Sequence, residues 1–179
     1  MSGAMKYWED LANAPERRFG PVVFGGALLD QLLDLMGEKH PVHDSDDFAH
    51  GTDRRQRIVP GGFIHSITSG WVVQHGSPAA IVGMRRLGWD FVRPLYPDTP
   101  FWFTTRTDRA SEIDDRIGLI ETTRRVFDEN GRTYAIGRMS VVLLRRAGQP
   151  PTEQPPTEQP RAGQPRAGQT QPTPTGRVQ

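Results

Sequence analysis

The sequence predicts an α+β domain in which helices come first and an antiparallel sheet follows. Apolar residues recur at helical spacing within residues 26–36 and again within 61–75. Beyond residue 80, four stretches rich in aromatic and β-branched residues alternate apolar with polar side chains. We therefore expect two main helices and about four strands, with the second helix as the apolar element that the sheet wraps.

The composition limits the classes of function. Lys and Arg number 22 against 21 Asp and Glu, so nucleic acid and acidic membranes are not expected partners. The chain has no cysteine, which excludes disulfides and cysteine-based zinc sites. No apolar run in residues 1–20 suits a signal peptide, and no later run suits a membrane span. We expect a soluble, cytoplasmic protein.

The composition changes abruptly near residue 147. From there the chain is rich in Pro, Gln, Thr and Gly, and the segments PPTEQ and PRAGQ each recur. Residues 147–177 contain no aromatic residue and no Ile, Leu, Met or Val, so they cannot bury enough surface to offset the cost of ordering. We predict a folded domain at 1–146 and a disordered tail at 147–179, which is either dispensable or a docking segment.

The first predicted helix covers residues 26–36. Gly37 follows at a position where helices often end with glycine, and Pro41 prevents the helix from continuing. Residues 37–43 are therefore predicted to form a loop, and Ser45 is predicted to cap a short helical turn. The broad apolar face expected for the first helix consists of Leu28, Leu29, Leu32, Leu33, Leu35 and Met36.

The second predicted helix covers residues 61–75, and Pro60 and two glycines mark its start. The dipeptide Asn130-Gly131 between two apolar stretches predicts a hairpin further along the chain. The apolar face expected for the second helix consists of Phe63, Ile64, Ile67, Trp71 and Val72.

Several local motifs occur in the order found in one known family. Gly37–His43 fits the pattern G-D-x-N-P-x-H in spacing, and Asp44–Ala49 is close to D-x-x-F/Y-A. Ile58–Gly61 opens the second helix as I-V-H-G does, and residues 87–103 are similar to a strand–turn–strand segment. With the segment YWEDL at Tyr7–Leu11, the chain resembles the MaoC-like dehydratases, also called R-specific enoyl-thioester hydratases.

The resemblance implies a hot-dog fold, a curved antiparallel sheet around a long central helix. It implies a hydro-lyase that hydrates a 2-enoyl thioester or dehydrates a 3-hydroxyacyl thioester on CoA or an acyl carrier protein. Glu38 and His43 then stand at the catalytic positions, and the backbone of Gly61 stands at the oxyanion hole. His40 replaces the family's Asn as a supporting residue, and Pro60 replaces its His. No metal or redox cofactor is implied, and a homodimer or higher homo-oligomer is expected.

Alternatives remain open at this point. Glu38 replaces an Asp and lengthens the carboxylate's reach by roughly 1.5 Å, which favours an altered catalyst or an altered function. A hot-dog thioesterase, a tailoring enzyme of secondary metabolism and a non-catalytic subunit are the rival functions. His43 could brace its loop and Glu38 could be solvated, whereas Arg93 could be a solvated strand residue or a contact to a charged substrate. The histidines and acids of residues 37–51 fit no common metal-binding spacing.

Overall fold

The computed structural model describes residues 3–148. The helices are α1 (Trp8–Ala12), α2 (Gly26–Met36), α3 (Pro41–Asp44), α4 (Asp46–His50) and α5 (Gly61–His75). The strands are β1 (Arg17–Val23), β2 (Ile81–Phe91), β3 (Pro100–Glu112), β4 (Ile117–Phe127) and β5 (Thr133–Leu144). A short 3-10 turn, Arg146–Gly148, ends the described part. The predicted tail lies outside the described residues from position 149 onward.

The five strands form one antiparallel sheet in the order β1-β3-β4-β5-β2. The α+β class and the four strands expected after residue 80 are therefore confirmed. Strands β4 and β5 are joined by a tight turn at Asn130-Gly131, where Gly131 has a φ angle of 76°. Glycine adopts this left-handed conformation without a steric penalty, and the predicted hairpin is confirmed.

Strand β1, at one edge of the sheet, is absent from the sequence-based prediction. Its sequence RRFGPVV begins with two arginines, and Gly20-Pro21 interrupts the alternation that marks a strand. Proline within an apolar run normally argues against a strand, except at a sheet edge. Here Phe19 and Val22 are both buried, and the register against β3 shifts between them. The irregular register allows two apolar residues three positions apart to reach the same core.

Helix α5 packs against the sheet and supplies part of the core, as predicted. Ile64 and Thr68 are buried, and four further apolar residues of the helix pack on the core while remaining partly accessible. Among the strands, the rings of Phe19 and Phe103 stack with their centroids 5.0 Å apart. Burying a side chain of this size stabilises the fold by about 1.5–3 kcal/mol. Within residues 3–148, no helix combines the length and apolarity needed to cross a bilayer.

Helix α2 has the predicted bounds but a narrower buried face than the sequence indicates. Leu29 and Leu33 are fully buried, whereas Leu28, Leu35 and Met36 are exposed, Leu35 by 79%. Leu29 and Leu33 are four residues apart and therefore lie one above the other on a helix. The prediction of a broad apolar face is wrong, because the helix touches the core along one stripe only.

The segment between α2 and α5 carries the predicted site. Gly37 ends α2 in the left-handed conformation with a φ angle of 65°, as predicted. Residues 37–43 are not entirely a loop, because Pro41 begins the short helix α3 instead of only ending α2. Proline suits the first helical position, where no N–H partner is required. Ser45 caps α4, accepting a hydrogen bond from the Phe48 N–H at 3.2 Å, also as predicted.

Candidate active site

The best-defined functional group of this segment is the imidazole of His43. Its Nδ1 atom lies 2.8 Å from the carbonyl oxygen of Ile58. A carbonyl oxygen only accepts hydrogen bonds, so Nδ1 carries the proton and Nε2 keeps its lone pair in the neutral ring. Nε2 has no partner within residues 3–148, and it is not one of their buried unpartnered atoms. It is therefore a base open to a ligand or to water.

Two backbone hydrogen bonds hold the acceptor of this bond in place. The Ile58 N–H donates to the carbonyl oxygen of Val42 at 3.2 Å, and the Val59 N–H donates to that of Leu95 at 2.8 Å. The strand-like segment before α5 is thereby joined to α3 on one side and to the β2–β3 connection on the other. A backbone carbonyl oxygen, that of Ile58, therefore orients the His43 ring, and no flexible side chain is needed for this.

His43 and Gly61 line the same cavity, which has a volume of about 290 Å³. Apolar side chains form much of the remaining wall, including those of Ile64 and Phe91, and Arg54 and Arg93 complete it. A concave, partly apolar pocket with a few polar groups is the usual form of a small-molecule site. The structure thus brings together two of the four residues that the sequence assigned to the site.

Gly61 is the first residue of the 15-residue helix α5. The first N–H groups of a helix have no partner within the helix and carry partial positive charge, which favours a developing anion. The N–H groups of Gly61 and Gly62 have no acceptor among the residues that the structure describes. A Cβ atom built on Gly61 would lie 2.3 Å from Cζ of Phe91. The Phe91 ring covers position 61, and a side chain there would require this ring or the start of the helix to move.

Glu38 and His40 are close in sequence to the cavity residue His43, but neither of them lines the cavity. The Oε1 atom of Glu38 accepts a hydrogen bond from the backbone N–H of His40 at 2.9 Å. Nδ1 of His40 accepts one from the Val42 N–H at 3.2 Å and so caps α3. The ring centroids of His40 and His43 are 6.1 Å apart. Both residues shape the turn that presents His43, and Oε2 of Glu38 has no partner within the described chain.

Two of the four acidic residues within 37–51, Asp44 and Asp46, lie in ion pairs with basic side chains. Arg57 donates to Asp30 of α2 at 2.6 Å and to Asp46 of α4 at 3.0 Å, which joins the two helices. Lys39 pairs with Asp34 at 2.5 Å and lies 3.8 Å from Asp44. No group of three or more His, Asp and Glu within residues 3–148 is arranged to hold a metal ion.

Two cavity residues were missed by reasoning from the sequence. Arg54 lies in the run Arg54-Arg55-Gln56-Arg57, where the local concentration of positive charge was a usable signal. Phe91 ends β2, and nothing in the alternation of that strand distinguishes a pocket wall from a core residue. The sequence leaves Arg93 open between a solvated strand residue and a contact to a charged substrate. Arg93 is exposed, lines the cavity and donates to the Thr133 carbonyl oxygen at 3.1 Å.

Comparison with known proteins identifies the fold. No family model matches the sequence, and none of the curated proteins matches it either. An Archaeoglobus monoamine oxidase regulatory protein superposes with a TM-score of 0.73 at 17% identity, covering 81% of this chain and 98% of that one. A Rhodospirillum rubrum MaoC-like dehydratase gives 0.68 at 17% identity, covering 78% and 97%. The (R)-hydratase of A. caviae, involved in PHA biosynthesis, gives 0.59 at 23% identity, covering 73% and 95%.

The chain therefore has the hot-dog fold of the MaoC-like proteins. The predicted hot-dog fold and the resemblance to the MaoC-like dehydratases are confirmed at the level of the fold. Identities of 17% and 23% establish a shared fold only. The activity has to be inferred from the residues of the site.

Proposed function

We propose that the protein is a MaoC-like hydro-lyase that acts on thioesters of CoA or of an acyl carrier protein. It would add water to a 2-enoyl thioester or remove water from a 3-hydroxyacyl thioester. The observation that carries the proposal is the cavity shared by His43 and Gly61, in which neither His43 Nε2 nor the Gly61 N–H has a partner within residues 3–148. A base and an oxyanion donor in one cavity are the two groups that this reaction requires. Solved hydratases and dehydratases of the same fold support it.

In the hydration direction, Nε2 of His43 takes a proton from water while the water oxygen forms a bond to C3 of the acyl group. The C2=C3 π electrons move to C2 and onto the thioester oxygen. Backbone N–H groups at the start of α5 stabilise that oxyanion, and one such donor typically contributes about 3–4 kcal/mol to lowering the barrier. The proton held on His43 is then available for C2, and the carbonyl re-forms. Dehydration is the same sequence reversed.

Glu38 is proposed to orient and help deprotonate the water, together with His43. Its carboxylate accepts one hydrogen bond from the His40 N–H and keeps the second oxygen for another donor. The extra methylene of Glu relative to Asp gives the side chain the reach to turn from the loop toward the cavity. His40 supports this arrangement by capping α3 and holding the turn between the two groups.

We also propose that two copies of the chain associate. Strand β2 lies at an edge of the sheet and has no strand beyond it within the described residues. Its exposed apolar residues include Ile81, Val82, Met84 and Leu87. An open edge of this kind favours pairing with a second copy. Light scattering should give the mass of a dimer or higher oligomer, and Leu87→Lys should shift it toward the monomer. The cytoplasmic location stays a prediction from the sequence.

The activity is tested with crotonyl-CoA and the purified full-length protein. Loss of the conjugated ultraviolet absorbance without release of a free thiol would support hydration, whereas thiol release would identify a thioesterase. His43→Ala should lower kcat/KM at least about a hundredfold, since a general base typically contributes 10²–10⁴. His50→Ala is the matched control, because Nδ1 of His50 also bonds a backbone carbonyl, that of Asp46 at 2.7 Å, and the ring lies outside the cavity. Equal activity of both variants would contradict the assignment.

A second candidate, a non-catalytic hot-dog subunit, is favoured by one observation. Glu38 is engaged with the His40 backbone and does not line the cavity, so the site holds one side-chain base. A protein of this type would bind an acyl thioester without converting it. Saturable binding of crotonyl-CoA with neither absorbance loss nor thiol release would select this candidate over the enzyme.

A further inference from the structure

A second and larger cavity, of about 490 Å³, lies at the other end of α5. Val72 and His75 of the last helical turns contribute to it, as do Arg17 of β1 and Thr105 of β3. It shares no lining residue with the cavity of His43. Its size falls within the range of pockets that bind small molecules. The proposed reaction uses none of the residues that line it.

A row of paired residues crosses the whole sheet and begins with two residues of this lining, Arg17 and Thr105. Arg17 pairs with Thr105, Thr105 with Arg124, Arg124 with Gly137, and Gly137 with Trp89. Arg124 projects toward α5, because its Nη1 atom donates to the hydroxyl oxygens of Thr68 and Ser69, each at 2.9 Å. Two arginines therefore flank one threonine on strands β1, β3 and β4.

Neither arginine has a carboxylate partner within residues 3–148. Arg124 is only 6% exposed, and its Nε atom is buried without a hydrogen-bond partner. Burial lowers the pKa of Arg124 to about 10, so the guanidinium is still charged at neutral pH. A buried cation without a counter-charge is unfavourable, and such charges are normally paired. An anion bound beside these two arginines would therefore offset their charge.

Arg17 is placed to meet such an anion from within the cavity. Its Nη2 atom lies 2.9 Å from the position that a Cβ would occupy on Gly76, so the absent side chain makes room for the guanidinium at the end of α5. Its guanidinium carbon lies 4.8 Å from the centroid of the Phe19 ring. The acid in the lining, Asp10, is already paired with Arg146, which leaves Lys6 as a further cation.

We propose that this cavity is a second binding site, for a small carboxylate with an apolar body such as a medium-chain acyl carboxylate. The carboxylate lies beside Arg17 and Thr105, and Arg124, the partner of Thr105 on strand β4, adds positive charge. Arginine binds carboxylates with two parallel hydrogen bonds, and a hydroxyl can donate a third. The apolar body contacts the rest of the lining, which includes Leu11, Val72 and Ile120. The site is independent of the hydro-lyase reaction proposed above.

Calorimetric titration of the full-length protein with octanoate and with octanamide tests the proposal. The two probes have the same chain and differ in charge. Octanoate should bind saturably and at least about tenfold more tightly than octanamide, because charge-assisted hydrogen bonds are roughly twice as strong as neutral ones. Arg17→Met should weaken octanoate binding by a similar factor and leave octanamide unchanged. Arg124→Met should also weaken octanoate binding if the variant retains the wild-type melting transition.

Matched controls separate this site from its surroundings and from the catalytic cavity. Arg18→Met and Arg125→Met replace the neighbouring, exposed arginines of β1 and β4 and should leave octanoate binding unchanged. His43→Ala should bind octanoate as the wild type does, even where hydration of crotonyl-CoA is lost. Equal affinity for both probes, no binding of octanoate, or full binding by Arg17→Met would each overturn the proposal, whatever the hydration assay shows.

Discussion

The two ends of α5 present different chemistry to the two cavities. At the first end, the groups are the His43 imidazole and backbone N–H groups, with Gly61 closely covered by Phe91. At the last end, they are threonine hydroxyls and Arg17, and Arg124 reaches the middle of the helix at Thr68 and Ser69. The helix itself explains the contrast. Its first N–H groups already offer partial positive charge, whereas its last carbonyls offer negative charge, so an anion there needs charged side chains.

Among substitutions at the two ends of α5, Gly61→Ala is expected to have the largest effect on activity. The added Cβ would lie 2.3–2.7 Å from three ring atoms of Phe91, so the ring or the start of the helix has to move. Loss of a positioned oxyanion donor typically costs 10²–10³ in kcat, and we expect a decrease of about that size in the hydration of crotonyl-CoA.

Two further variants distinguish displacement of the Phe91 ring or the helix start from general damage to the fold. Gly62→Ala is the matched control, because a Cβ at position 62 meets no atom within 4 Å. It should retain near wild-type kcat. The double variant Gly61→Ala, Phe91→Ala removes the clash and should recover part of the activity. An unimpaired Gly61→Ala enzyme would contradict the role of this helix end.

A smaller effect, about tenfold in kcat/KM, is expected for Glu38→Gln. Glutamine keeps an oxygen that can accept the His40 N–H but has no negative charge to help deprotonate water. A tenfold loss therefore reports the charge, whereas unchanged turnover would limit Glu38 to shaping the turn. Glu129→Gln, at an exposed position in the β4–β5 turn, is the control and should be silent.

The smallest effect concerns His65, which lies between the two ends of α5. Burial and the charge of Arg124 lower the pKa of His65, so the folded protein keeps the ring neutral. The unfolded chain takes up a proton near the ordinary pKa of about 6.5. Stability should therefore be fully present above that pH and fall as the pH decreases below it. The melting temperature of the wild type should drop more between about pH 7.5 and pH 5.0 than that of His65→Gln, and equal drops would contradict this assignment.

Much of the fold was predictable because its signals are local. The spacing of Leu29 and Leu33, the left-handed Gly37, the Ser45 cap and the turn at Gly131 each depend on neighbours within a few residues. Strand β1 and helix α1 were not predictable in this way. Their residues are short or interrupted stretches whose structure depends on partners far along the chain, such as Phe103 for Phe19.

The candidate site shows the same distinction between features that are local in sequence and features that depend on the folded structure. His43 and Gly61, which the sequence assigned to the site, line one cavity, and the motif and the helix start that pointed to them are both local features. The sequence did not indicate that Glu38 would turn to the His40 backbone, because that depends on side-chain rotation within the loop. The row from Arg17 to Trp89 joins four strand pairings, and no sequence pattern shows which residues stand opposite each other.

The most direct test of the account is a crystal structure of the protein with 3-hydroxybutyryl-CoA bound. We predict that the hydroxyl oxygen lies within hydrogen-bond distance of His43 Nε2, and the thioester oxygen about 2.7–3.1 Å from the Gly61 N atom. We also predict that Phe91 is displaced from its contact with Gly61. A thioester bound with its oxygen away from the start of α5, or with no ligand atom near His43, would contradict the central claim.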